Sequence, residues 1–90
     1  MASADLEHEQ IKELIKIPGV GFSIANDLIN IGITSVKDLE NKNPELLYEQ
    51  SNQYAGVVQD KCLLYVFRCA VYFATEIRHD KEKLKWWNWK

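Results

Sequence analysis

Ninety residues, 47% of them apolar and 27% charged, suit one folded domain and exclude a disordered chain or a string of domains. The net charge of −2 is divided unevenly. Residues 1–45 carry four basic and eight acidic side chains, and residues 46–90 carry seven basic and five acidic. A strongly basic nucleic-acid binder is therefore excluded, and only the second half has the charge to form a basic face. Met1 to Gln10 are polar and acidic, unlike a secretory signal. The longest apolar stretch, Cys62 to Ala74, is interrupted by Arg68 and is too short to span a bilayer. A cytoplasmic protein with no membrane partner is expected.

Ala4 to Ile17 is expected as a first helix, with Leu6, Ile11, Leu14 and Ile15 apolar, Ser3 as N-cap, and Pro18 as the stop. Gly19-Val20-Gly21 forms a tight turn, and a second helix follows from Phe22 to Ile31, ended by Gly32. Ser35 opens a third, short helix with Asp38 as its capping partner. Asn43-Pro44 combines a capping residue with proline at the first helical position, and this fourth helix runs to about Ser51. After a break at Asn52 to Gly56, the longest helix extends from Val57 to about Arg78. Asp80 to Lys90 adds one short helical turn in a tail rich in tryptophan. No stretch alternates long enough for a strand, so the fold class is all-α, with about five helices in a single domain spanning residues 1–90. The glycine at position 56, leading into a helix as Gly21 does, suggests a degenerate second hairpin.

The segment Ile17-Pro18-Gly19-Val20-Gly21, with Ala25 four residues after the second glycine and Leu28 beyond, resembles the helix-hairpin-helix signature. Two helices joined by so short a turn need glycines in the turn and a small residue where they touch. The same turn leaves the first amides of the second helix free, a natural site for an anion. The resemblance implies that the hairpin holds the DNA backbone without reading sequence. The backbone contacts would come from Gly19, Val20, Gly21, Phe22 and Ser23, with Lys16 nearby. DNA-binding members often carry a basic residue just after the second glycine, where this chain has Phe22 and Ser23. A purely structural joint is the competing reading.

The resemblance extends beyond the hairpin. Together with Asp60 to Ala74 and Leu84-Lys85-Trp86-Trp87-Asn88-Trp89-Lys90, the turn makes the chain similar to a small bacterial family of helix-hairpin-helix proteins known by the description pathogenicity locus. What this implies is fold, small size and an association with DNA, not an activity.

On the long helix, Lys61, Tyr65, Arg68, Tyr72 and Glu76 recur at helical spacing beside an apolar stripe of Cys62, Val66, Cys69, Phe73 and Ile77. With Lys83 and Lys85, the first stripe could supply arginine to phosphate and tyrosine to bases. The competing expectation is a core edge in which Arg68 pairs with an acid. The three tail tryptophans are expected to pack back over the long helix, with a cation–π contact to Arg68, rather than stay exposed for stacking.

Cys62 and Cys69 are seven residues apart, about 10 Å along a helix, which is too far for a disulfide. Two buried thiols are expected, with no metal site and no cofactor. An enzyme is not expected either. Some helix-hairpin-helix proteins are DNA glycosylases; their bifunctional members place a catalytic lysine two residues after the second glycine, where Ser23 stands here, and need a second domain for the flipped base. The sequence leaves two functional expectations: a non-catalytic module binding DNA, or a protein-interaction or oligomerisation domain using the same helices and the tryptophan tail.

Overall fold

The computed structural model describes residues 2–90, with side chains from Leu6 onward. These residues form four α-helices, α1 (Ala2–Leu14), α2 (Phe22–Asn30), α3 (Pro44–Ala55) and α4 (Lys61–Thr75). Three single turns of 3-10 helix, Lys37–Leu39, Lys81–Leu84 and Trp86–Trp89, complete the chain, and no strand occurs among the described residues. The all-α expectation holds. The count of about five does not, because the third helix and the tail are 3-10 turns and the tail holds two of them.

Helix boundaries moved for identifiable reasons. The side chain of Ser3, the expected cap, lies outside the described residues; α1 begins at Ala2 and ends at Leu14, before the expected Ile17. The approach to Pro18 tightens into i→i+3 bonds, Lys16 N–H to Glu13 O and Ile17 N–H to Leu14 O, as expected where proline disfavours a continuing helix. The second helix ends as expected near Gly32, whose φ of +91° suits glycine. Gly32 N–H donates to Ile29 O and Ile33 N–H to Leu28 O, the paired bonds of a Schellman cap.

Thr34 donates twice to Asp38 Oδ2, at 3.1 Å each, and Asp38 N–H donates back to Ser35 Oγ. This reciprocal capping closes one 3-10 turn and no more. Asn43 Oδ1 accepts from the amides of Glu45 and Leu46, and Pro44 starts α3 as its sequence requires. The helix continues through Asn52, placed in a break by the sequence reading, to Gly56 at φ +75°. Asn52 turns its side chain outward to the following loop, accepting from Gln59 N–H and Gln59 Nε2. The expected break is thereby shifted to Gly56–Asp60.

That shift shortens the longest helix. Val57 and Val58 lie in the exposed loop, and Asp60 caps α4 through Cys62 N–H at 2.8 Å. At the other end α4 stops at Thr75 rather than Arg78, and Ile77 is fully outside it, 97% exposed. The Gly56 turn does not repeat the Gly21 turn. One glycine precedes a helix directly; the other is followed by a loop and an aspartate cap.

The core forms around Phe67, which is fully buried and whose burial contributes about 2–3 kcal/mol. Leu14 and Ile17 reach it from α1 and the first turn, Ala25 and Leu28 from α2, and Leu39 from the first 3-10 turn. Ala25 has no exposed surface, as a residue at the contact of two helices must be small. Leu63, Val66 and Ala70 contribute the inner face of α4. Among the described residues, no helix is long and apolar enough to cross a membrane.

Candidate functional site

The turn between α1 and α2 is fixed from inside and open outside. Ile17 and Val20 are buried, and Val20 N–H donates to Ile17 O, so the turn is anchored by its apolar residues. Gly19 has φ +87°, a conformation that penalises any β-carbon. It has a second reason to be glycine. A β-carbon there would lie 2.9 Å from Cδ1 of Trp86, so the tail packs directly on the turn.

Gly21 differs on both counts. Its φ of −98° and ψ of −169° are ordinary extended backbone, and a β-carbon would meet nothing within 4 Å. It stands at the N-cap of α2 and offers no side-chain cap, and Gly21, Phe22 and Ser23 are all exposed. The contrast with α3 and α4, capped by Asn43 and Asp60, is direct. The first turn of α2 therefore presents amides and the positive end of its dipole to solvent.

Charge near these amides is mixed. Lys16 is exposed, but its Nζ lies 3.1 Å from Glu13 Oε1. Asp27, one turn further along α2, has its carboxyl pushed above the usual range by burial. Among the sequence-predicted backbone contacts, the structure brings Gly19, Gly21, Phe22 and Ser23 together at one exposed turn. Val20 serves the core instead.

The second predicted surface is largely spent within the fold. Arg68 Nε donates to Glu45 Oε2 at 3.1 Å, and its Nη1 donates to the carbonyl of Trp89 at 2.7 Å. Its guanidinium sits 5.7 Å from the Tyr65 ring centre, so the cation–π partner is this tyrosine and not a tryptophan. The Tyr72 hydroxyl accepts from Asp80 N–H, while its ring meets Trp89 and lies under Lys83 Nζ. Lys85 pairs with Glu82 at 2.8 Å. Lys61, at the start of α4, is exposed.

These contacts fold the tail back on α4, as expected for the tryptophans. Trp86 and Trp89 are half-buried, whereas Trp87 remains 52% exposed. Trp89 Nε1 donates to Lys83 O, and Asn88 Nδ2 to Glu82 O, locking the two final 3-10 turns together. His79 stacks on Phe73 and bonds its carbonyl, closing the chain's exit from α4.

The cysteines are free, and only Cys69 is buried; Cys62 is exposed, contrary to the expectation of two buried thiols. Cys62 stands two residues after the Asp60 N-cap, and its hydrogen bond with Asp60 raises its pKa. Burial raises that of Cys69. Neither is an activated thiolate. Sequence reasoning missed Glu45 as the partner of Arg68 and Trp86 as the cover of Gly19. Asp60, readable from sequence as a solvated or helix-start acid, is the cap of α4, while the helix start expected at Val57 lies at Lys61.

Neither a curated protein nor a solved structure matches the sequence. A family model described as Cdd1, pathogenicity locus, matches residues 7–90. That match takes in α2 to α4, the tail and most of α1: the chain belongs to the pathogenicity locus family.

Proposed function

We propose that this domain is a non-catalytic module that binds the DNA backbone without reading sequence, through a helix-hairpin-helix made of α1, the Pro18–Gly21 turn and α2. The observation that carries this reading is the uncapped, exposed N-terminus of α2 at Gly21, beside two helices whose caps are side chains. Free amides at a helix start favour a phosphate oxygen, and a glycine there lets a backbone approach closely. Gly21, Phe22 and Ser23 make the contact, Gly19 and Val20 shape the turn, and Lys16 supplies local charge. Attraction from the rest of the surface is modest, so binding is weak, is strongest at low salt and declines only gently as salt rises.

The decisive variant is Gly21→Asp. The backbone at Gly21 admits a side chain, and aspartate is a strong N-cap, so the fold is kept or slightly stabilised. Its carboxylate occupies the amides and repels phosphate. Fluorescence anisotropy with duplex, single-stranded and junction DNA at low salt should show binding by the parent chain and at least about a tenfold loss in the variant. Equal affinity in the two proteins, or no binding by either, would refute the reading.

A second reading, a protein-interaction domain, draws support from Tyr54, Val57 and Val58, three exposed apolar side chains around the α3–α4 loop, and from exposed Trp87. Light scattering of the full chain and of a Val57→Asp, Val58→Asp double variant tests it. A parent oligomer that dissociates in the variant favours this alternative.

A further inference from the structure

Beside the first turn, an open pocket of about 350 Å³ is framed by the start of α2, the start of α4 and the tail. Ile24, Leu63 and Val66 give it apolar walls, Trp86 an aromatic one, and Asp27 and Asp60 two carboxylates. No lysine or arginine lines it among the described residues. The pocket thus combines a place for an aliphatic stem with negative charge and an indole ring.

The two carboxylates are in different conditions. Asp60 is committed to the Cys62 amide as the cap of α4. Asp27 is half-buried and has neither a hydrogen bond nor an ion pair among the described residues. Its carboxyl is held above the ordinary range by desolvation alone. A partly desolvated charge with no partner is a cost in the free protein, and a cation brought beside it removes that cost. The indole of Trp86 adds attraction for a cation and none for an anion. An anionic ligand is disfavoured on both grounds, and a neutral one leaves Asp27 uncompensated.

We infer that this pocket binds a guanidinium or ammonium group on an aliphatic stem, as carried by an arginine or lysine side chain of a partner polypeptide. The stem lies against Ile24, Leu63 and Val66, and the cation sits between the Asp27 carboxylate and the Trp86 ring. The pocket's small size suits one side chain rather than a folded surface. Gly19 is a wall residue too, so the tail that covers the first turn also completes this pocket. The pocket adjoins the phosphate site through Gly19, but its cation chemistry rests on Asp27 and Trp86 and stands whether or not DNA binds.

Three probes test it by heteronuclear NMR on the full chain: acetyl-arginine-N-methylamide, putrescine as a free diamine, and acetyl-norleucine-N-methylamide as a neutral stem. The arginine probe should give saturable shifts at the Ile24, Asp27 and Leu63 amides and at the Trp86 indole N–H, with Kd on the order of 1 mM for so small a ligand. The norleucine probe should bind at least about tenfold more weakly. Saturation by putrescine at the same residues supports the cation site, and the tighter of the two cations names the source.

Asp27→Asn has no partner to lose and keeps the fold, and it should weaken the arginine probe by about tenfold. Asp60→Ser keeps a capping oxygen while removing charge, and should weaken it by about threefold. Absence of saturable shifts, equal binding of the neutral probe, or unchanged affinity in Asp27→Asn would overturn the inference.

Discussion

The two glycines of the first turn, two residues apart, are held to different standards. Gly19 is constrained twice, by its φ of +87° and by the Trp86 ring where a β-carbon would be. Gly21 is constrained by neither and stands open at an uncapped helix start. A motif that looks uniform in sequence thus divides into a residue the fold needs and a residue the fold leaves free. The same division runs through the charges. The basic second half spends Arg68 and Lys85 on internal pairs, while the acidic first half keeps the open amides. A count of lysines and arginines cannot see which of them the fold has already paired, and Lys16 beside the open amides is itself paired with Glu13.

The sharpest test of the comparison is alanine at each glycine. Gly19→Ala should cost about 3 kcal/mol, combining left-handed strain with displacement of Trp86. Gly21→Ala should cost only about 0.5 kcal/mol, since alanine is a poor N-cap but fits the backbone and the space. Urea unfolding of both variants, read by midpoint at constant slope, decides the matter. A loss at Gly21 as large as at Gly19 would make both glycines structural and remove the reason to place a ligand there.

Arg68 tests the other side of the comparison. Arg68→Met keeps much of the packing stem while removing the guanidinium. It loses the hydrogen bond to the Trp89 carbonyl and the half-exposed pair with Glu45, for about 1.5 kcal/mol in all. Tail tryptophan fluorescence should shift to the red as Trp89 loosens. DNA affinity should stay within about twofold, because this guanidinium is already occupied. A tenfold fall in affinity without unfolding would return the α4 stripe to the binding surface.

Much of this architecture is written in local chemistry. The Pro18 boundary, the Gly32 cap and the Asn43-Pro44 start each depend on residues within a few positions, and each is found near where the sequence puts it. Ala25 is legible as well, since the short turn dictates a small residue at the helix contact. What was not legible depends on distant partners. Val57 and Val58 look helical by composition, yet the loop is pinned by Gln59, whose side chain reaches Ser51 and Asn52 and whose carbonyl accepts from the Tyr48 hydroxyl. The α4 stripe looks like a binding face until Glu45 and the tail are placed against it. Nothing in the spacing around Gly19 or Trp86 announces that they touch. The pocket they share with Asp27 was accordingly invisible, although Asp27 itself could be read as an acid on α2.

The smallest expected effect concerns Asp38, which belongs to the frame rather than to either glycine. The amide of Thr34 holds its carboxyl below the usual value, with further help from the Thr34 hydroxyl and from Ser35. A carboxyl whose folded pKa is depressed binds fewer protons in the folded state. Its contribution is therefore complete above the unfolded pKa of about 3.9 and is lost as pH falls through the folded value. Between neutrality and that point Asp38 should leave stability flat, and below it the melting temperature should decline. In Asp38→Asn the acid decline should be shallower while stability at neutral pH is slightly lower, because the amide oxygen accepts more weakly from Thr34. Asp60 is depressed in the same direction by its hydrogen bonds with Cys62, so part of the acid decline remains in that variant. The two glycine variants alter no titrating group, so their stability curves should run parallel to the parent's across this range. A Gly19→Ala curve that steepened in acid would mean that the turn and the Thr34–Asp38 cap unfold as separate units, and the fold could no longer be treated as one frame around the two glycines.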